Sequence, residues 1–117
     1  MLPQNPPESF LPLRPVELQV LLSLLPGPKH GYGMIQEAAD RTGRAAIPDV
    51  GTLYRALRRM VDLGLIEALD ETAEGTRRKE YGITPLGLEV ARAESRRLLE
   101  LLETARSHGL LEPAREG

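Results

Sequence analysis

The side chains best able to do chemistry fall in two basic clusters. Arg41, Arg44, Arg55, Arg58 and Arg59 lie along residues 41–59 with Asp49 as the single acid among them, and Arg77, Arg78 and Lys79 follow. Placed on an α-helix at about 100° per residue, Val50, Leu53, Leu57, Met60 and Val61 gather on one side with Ala56 nearby. Gly51, Thr52, Arg55, Arg58, Arg59 and Asp62 take the other side, and Tyr54 sits on the border. Such a division suits a helix that packs on a core with one face and enters a nucleic-acid groove with the other. Arg makes bidentate bonds to guanine or to phosphate, and Thr bonds to either bases or phosphates. The missing side chain at Gly51 would let the helix N-terminus, whose N–H groups favour anions, approach the backbone of DNA. For one isolated helix, a merely solvated basic face explains the same pattern. The elements around it decide.

Other chemistry is poorly represented. His30 and His108 are the two imidazoles and lie in unrelated segments, and there is no Cys. No paired-carboxylate motif, phosphate-cradling loop or metal-ligand spacing is visible, so neither an enzyme nor a metal or cofactor is expected. The net charge of −2 is unusual for a nucleic-acid binder, but the charge is segregated: the acids lie elsewhere, notably at Glu67, Asp70, Glu71 and Glu74 and in the C-terminal helix. The run Val20 to Leu25 is too short to span a bilayer. The opening MLPQNPPESF has no basic region followed by an apolar one. A cytoplasmic location is expected. With 117 residues, 41% hydrophobic and only 3% aromatic, the chain is the size of one domain whose core must be built from Leu, Val, Ile and Ala.

The elements that must position the basic residues can be read in order. Residues 1–14, rich in Pro and polar side chains, read as a flexible arm whose Phe10 and Leu11 would fold onto a partner surface. Pro15 suits the first turn of a helix, and VELQVLLSLL is apolar nearly all round, as a central helix is. Pro26, Gly27 and Pro28 stop it. A second helix begins near His30–Gly31 with Tyr32, Ile35, Ala38 and Ala39 on its inner stripe and Gly43 as its end. Asp49 is the N-cap of the third helix, Val50 to Leu63, closed by Gly64. The periodicity then changes. Residues 65–69 and 80–83 read as paired strands around a charged loop, and Thr84–Pro85 opens a last helix that runs to about Ser107. Overall the chain is expected to be mainly α with a small β-hairpin, in the order α-α-α-β-β-α. Residues 15–84 would be a winged helix-turn-helix domain, 85–108 a dimerisation helix and 109–117 a flexible tail. A helix–helix–hairpin order of this kind favours nucleic acid over the solvated-face reading. The hairpin would be the wing, its basic residues meeting phosphates or the minor-groove edge.

GTLYRALRRMVDLGLIE followed by RRKEYGITPLG closely resembles the PadR family of winged-helix repressors, with HGYGMI matching the opening of the family's second helix and VGTLYRAL its recognition helix. The likeness extends over about Val16 to Gly87, and the single long C-terminal helix resembles the smaller subgroup. It implies a DNA-binding transcriptional repressor in which Thr52, Tyr54 and Arg55 contact double-stranded DNA from the third helix. Tyr32 would lie near a phosphate or pack beneath it, and Arg78 and Lys79 would serve the wing. Glu80 and Gly82 depart from the residues common in the family, which points to a wing that holds phosphate weakly.

The last helix carries Leu88, Ala91, Leu98, Leu102 and Ala105 at three- and four-residue steps, widened by Leu99 and Leu101, with charges of alternating sign elsewhere. A stripe so wide predicts pairing with a second copy, so that a homodimer presents two recognition helices roughly 34–36 Å apart to a palindromic operator. Packing onto the first helix alone is the other reading of the stripe. The resemblance further implies release from DNA by a small-molecule effector at or near the dimer interface, often an aromatic or drug-like one. With no Trp and one Phe, an aliphatic cavity or no effector at all remains open. A winged-helix module that binds protein instead of DNA is the alternative function, and the acidic net charge keeps it in play.

Overall fold

In the computed structural model, which describes residues 5–42, 49–73 and 76–113, the apolar run after Pro15 forms α1 (Pro15–Leu24). Arg14 donates its backbone N–H to Glu17 Oε1 (2.9 Å) at the start of this helix. Apolar on almost every side, α1 lies at the centre and packs against the other three helices, with Val20, Leu21 and Leu24 at most 1% exposed. Next come β1 (Lys29–His30), α2 (Gly31–Thr42), α3 (Val50–Asp62), β2 (Ile66–Ala73), β3 (Thr76–Ile83) and α4 (Pro85–Ser107). The expected end of α2 at Gly43 lies outside the described residues, as does most of the 109–117 tail beyond residue 113.

Local signals set the boundaries. Asp49 caps α3 by accepting the Thr52 N–H, and Thr84 caps α4 by accepting the Gly87 N–H at 3.0 Å. Gly64 turns the chain out of α3 at φ +78°, a backbone conformation that side chains with a Cβ seldom adopt. The buried face of α3 is Leu53, Ala56, Leu57 and Met60, as the periodicity predicts; Val50, the first residue of the helix, departs from it and is 56% exposed.

Three features differ from the sequence reading. The hairpin is joined by β1, giving a three-stranded antiparallel sheet in the order β1-β3-β2. A two-residue strand carries no periodicity to read. The wing is also longer than expected. Its register runs from Ile66 opposite Ile83 to Ala73 opposite Thr76, so Arg77, Arg78 and Lys79 stand on β3 opposite Thr72, Glu71 and Asp70 rather than in a loop. Polar strands of a solvated wing lack the apolar alternation that marks a half-buried strand.

The third difference is at the N-terminal end. Rather than an arm, Pro7–Phe10 form a turn of 3-10 helix against α4, and Phe10 and Leu11 pack on this chain's own core. Leu13 is 9% exposed, and its N–H is held at 2.7 Å by the carboxylate of Glu94 from α4. A carboxylate from a distant helix supplies what the Pro-rich composition conceals.

Candidate nucleic-acid interface

The outward face of α3 carries Tyr54, Arg55 and Arg58, all exposed. At its N-terminus the groups are already linked. Asp49 Oδ1 accepts the Thr52 N–H (2.6 Å), Thr52 Oγ1 donates to Asp49 Oδ2 (2.9 Å), and Arg55 Nη2 donates to Thr52 Oγ1 (3.3 Å). The Thr52 N–H and hydroxyl, with a smaller contribution from Arg55, hold the Asp49 carboxyl below the usual carboxylate range. The first turn therefore keeps an anion of its own beside the exposed Gly51, where a Cβ would stand 3.2 Å from both Asp49 Oδ1 and Arg55 Nη1. Thr52 can serve DNA only by sharing a hydroxyl already engaged in the cap. The pair Thr52–Arg55 in turn presents the Arg55 guanidinium from a fixed base.

Arg59 is placed differently from its neighbours. Its Nε donates to Glu17 Oε2 at 3.1 Å, and the Glu17 side chain is only 5% exposed. Arg59 thus ties α3 to α1, and its guanidinium is less available to a ligand than those of Arg55 and Arg58. The sequence grouped all three Arg together because helical spacing cannot see a partner on another helix.

Tyr32 opens α2 and is 66% exposed. Tyr54 lies against the adjacent Gly31: a Cβ there would stand 3.0 Å from the Tyr54 hydroxyl oxygen and 3.2 Å from Cζ. Glycine at 31 is thus what lets the ring of an α3 residue rest on the first turn of α2. On the wing, Lys79 is exposed, and the His30 Nδ1 lies 3.3 Å from its carbonyl oxygen. The Arg77 and Arg78 side chains are outside the described residues.

These elements enclose an open cleft of about 1210 Å³ between α2, α3 and β3, lined by Lys29, His30, Tyr32, Tyr54, Arg58, Lys79 and Tyr81 among others. All three tyrosines of the chain meet there. Lys29 is spoken for, donating to the Ser23 carbonyl (2.8 Å) and to Glu37. Among the described residues, Arg58 and Lys79 are the cations that the cleft offers to a ligand, one from the helix and one from the wing. Tyr81 was not singled out in the sequence, where it is one apolar residue of a short strand; only the pairing of β3 with β1 and β2 brings it beneath α3.

The residues of the expected dimer seam divide along α4. Ala91 is buried in the chain's own core at 5% exposure, and Leu88 and Leu98 are half-buried. Ala105 is also half-buried, whereas Leu99, Leu101 and Leu102 are 54%, 56% and 49% exposed. The first half of the helix covers its own domain, and the second half presents bare leucines. Among the described residues no helix is long and apolar enough to cross a membrane, and no cluster of His, Cys, Asp and Glu could hold a metal ion.

The model of the transcriptional regulator PadR-like family matches residues 20–93, which run from α1 through the wing into α4. The chain belongs to the PadR-like family. Solved structures agree in fold. A transcriptional regulator from Clostridium thermocellum superposes with a TM-score of 0.70 at 25% identity, covering 79% of this chain and 87% of that one. A PadR family regulator from Eggerthella lenta gives 0.68 at 24% identity over 91% and 87% of the two chains. A PadR family regulator from Clostridium difficile gives 0.67 at 22% identity over 80% and 96%. A comparison with curated proteins finds no match. This PadR-like chain therefore has the winged helix-turn-helix fold of transcriptional regulators, with α2 and α3 as the helix pair and β2–β3 as the wing.

Proposed function

We propose that this PadR-like protein is a sequence-specific DNA-binding transcriptional repressor that acts as a homodimer on a palindromic operator. The observation that carries the reading is the division of α3. Leu53, Ala56, Leu57 and Met60 are buried against the domain, while Tyr54, Arg55 and Arg58 are exposed on the other side, beside a wing that carries Lys79. In the major groove, Arg55 and Arg58 would reach base edges or phosphates, with Tyr32, Gly51, Thr52 and Tyr54 at the flanking backbone and Arg77, Arg78 and Lys79 on the adjoining phosphates. Arg59 contributes by fixing α3 on α1.

Residues 15–84 would be the DNA-binding unit and 85–108 the dimerisation helix. The exposed Leu99, Leu101 and Leu102 support the second assignment: covering each would contribute about 1.5–3 kcal/mol if burial were complete. Twofold pairing through α4 would set the two α3 helices about one turn of DNA apart, the spacing that makes an operator palindromic.

The test is binding to a DNA fragment from upstream of the protein's own gene, measured across a series of salt concentrations and followed by footprinting. Affinity should fall steeply with salt, since each neutralised phosphate releases counterions, and the footprint should cover two symmetric half-sites. Absence of binding at low salt, or a flat salt profile, would support a protein-binding module instead.

A further inference from the structure

Tyr81 lies in the middle strand of the sheet, opposite Lys29 on β1 and Ala68 on β2, and is 7% exposed. Its hydroxyl has no hydrogen-bond partner among the described residues. Sealing such a hydroxyl from water without a partner is costly, and no described side-chain oxygen or nitrogen is both sealed and unpartnered. The hydroxyl therefore opens onto the cleft that the ring lines. The Tyr54 hydroxyl, beside Gly31 in the same cleft, likewise has no partner among the described residues.

What surrounds Tyr81 defines what it can bind. Burial raises its phenol above the ordinary tyrosine range, Tyr54 adds to the rise, and Arg58 opposes it. One phenol and one guanidinium from α3 thus act on the same point as the phenol from β3. Glu37, Asp62 and Glu80 also line the cleft, and Glu37 is paired with Lys29. A phenol hydroxyl is a hydrogen-bond donor. The point gathers hydrogen-bond donors and one positive charge, which suits a ligand made of acceptors.

We propose that Tyr54, Arg58 and Tyr81 form an oxyanion subsite on the floor of the cleft, and that it seats one backbone phosphate of bound DNA. The proposal rests on the DNA-binding reading above and adds to it a residue and a location. Tyr81 is held by a strand paired on both sides, so its donor is pre-set where a surface Lys must be ordered on binding. A phosphate gripped between α3 and β3 fixes how deeply the helix sits relative to the wing. It carries no sequence information, because backbone contacts position and base contacts specify.

The experiment compares the full chain with Tyr81→Phe on the footprinted duplex and on a scrambled duplex of equal length, by fluorescence anisotropy at several salt concentrations, with thermal melts of both proteins. Phe removes only the hydroxyl, which has no partner to lose among the described residues, so the melt should be unchanged. Affinity should fall about tenfold on both duplexes, the worth of a hydrogen bond to a charged group, while the slope of log affinity against log salt stays the same. Arg58→Met should instead lower that slope by about 1. Ethylation of one phosphate per half-site should weaken the wild type but have no further effect on Tyr81→Phe. If wild type binds with a steep salt slope and Tyr81→Phe binds equally well, the subsite is refuted and the DNA reading stands. If the wild type binds neither duplex, titration with inorganic phosphate, followed by the Tyr81 ring resonances in NMR, separates the cases. A saturable shift lost in Arg58→Met supports the subsite with a free oxyanion as its ligand; no shift refutes it.

Discussion

Glu94 offers the sharpest test of how the molecule is held together, because two of its partners differ in what happens when it is removed. The residue is 1% exposed. Its Oε2 accepts the buried Leu13 N–H at 2.7 Å, and Oε1 accepts Arg97 Nε. In Glu94→Ala, the Arg97 side chain, 35% exposed, turns to water and loses little. The Leu13 N–H has no such recourse, and an orphaned buried donor costs about 1–3 kcal/mol. The vanished methylene and carboxylate leave a gap worth about 1–2 kcal/mol more. A total of about 2–5 kcal/mol is a large share of the roughly 5–15 kcal/mol that holds a small domain folded. Glu94→Gln keeps an acceptor for Leu13 and should lose only about 1 kcal/mol. Urea denaturation followed by circular dichroism at fixed protein concentration measures both, by linear extrapolation. If Glu94→Ala is no less stable than Glu94→Gln, the N-terminal segment is not fastened by this carboxylate and the reasoning fails. Acid adds a second reading. The Arg97 bond, with the Leu13 N–H behind it, holds the Glu94 carboxyl below its ordinary range against the opposing effect of burial. A lowered folded-state value means the stabilisation is fully present above the unfolded pKa, about 4.3, and disappears as pH falls through the folded value. The wild type should thus lose stability below about pH 4 more steeply than Glu94→Gln.

The other arginines and the glycine at the cleft give further tests. Arg55→Ala should cost about 1–3 kcal/mol of binding to the specific duplex and relax preference at one base position, with the melt unchanged. Arg59→Ala should do the reverse: it strips a partner from the buried Glu17 and should cost about 1–2 kcal/mol of folding stability in urea with less effect on DNA than Arg55→Ala. Equal behaviour of the two would remove the distinction drawn between them. Gly31→Ala sets a methyl within 3.0 Å of the Tyr54 hydroxyl oxygen, so the ring must shift; anisotropy should show weaker DNA binding while circular dichroism keeps the helical signal. Leu102→Glu, at a position 49% exposed, should yield monomers in sedimentation velocity without lowering secondary structure; a variant that still sediments as a dimer contradicts pairing through α4.

Local chemistry was legible in the sequence, and partnerships across it were not. Asp49, Thr84, Pro15 and Gly64 mark element ends through contacts made within a few residues, so their identities alone suffice. The two faces of α3 repeat at helical spacing and could be read off the same way. Glu94 could not. It stands in a run of alternating charges that resembles a solvated face, and its decisive partner is the backbone of Leu13, 81 residues away. Glu17 and Arg59, 42 residues apart, are hidden for the same reason. The aromatic content argued against any aromatic site, yet composition counts tyrosines without locating them, and the pairing of Lys29 with Tyr81 is what gathers all three in one cleft.

The hidden contacts form a continuous series. Glu94 on α4 holds the backbone of Leu13, the next residue donates its N–H to Glu17 on α1, and Glu17 holds Arg59 on α3. Each link is a carboxylate with two oxygens serving two different elements, which is why both acids are buried despite the cost of desolvating them. The helix proposed to pair the subunits is therefore fastened directly to the N-terminal segment that composition alone would discard as an arm, and the helix proposed to enter DNA is joined to it through Glu17 of α1. A relative movement of α4 and α3 has to break or carry one of these bonds, so in the proposed dimer the spacing of the two α3 helices would be constrained inside each subunit as well as at the proposed seam.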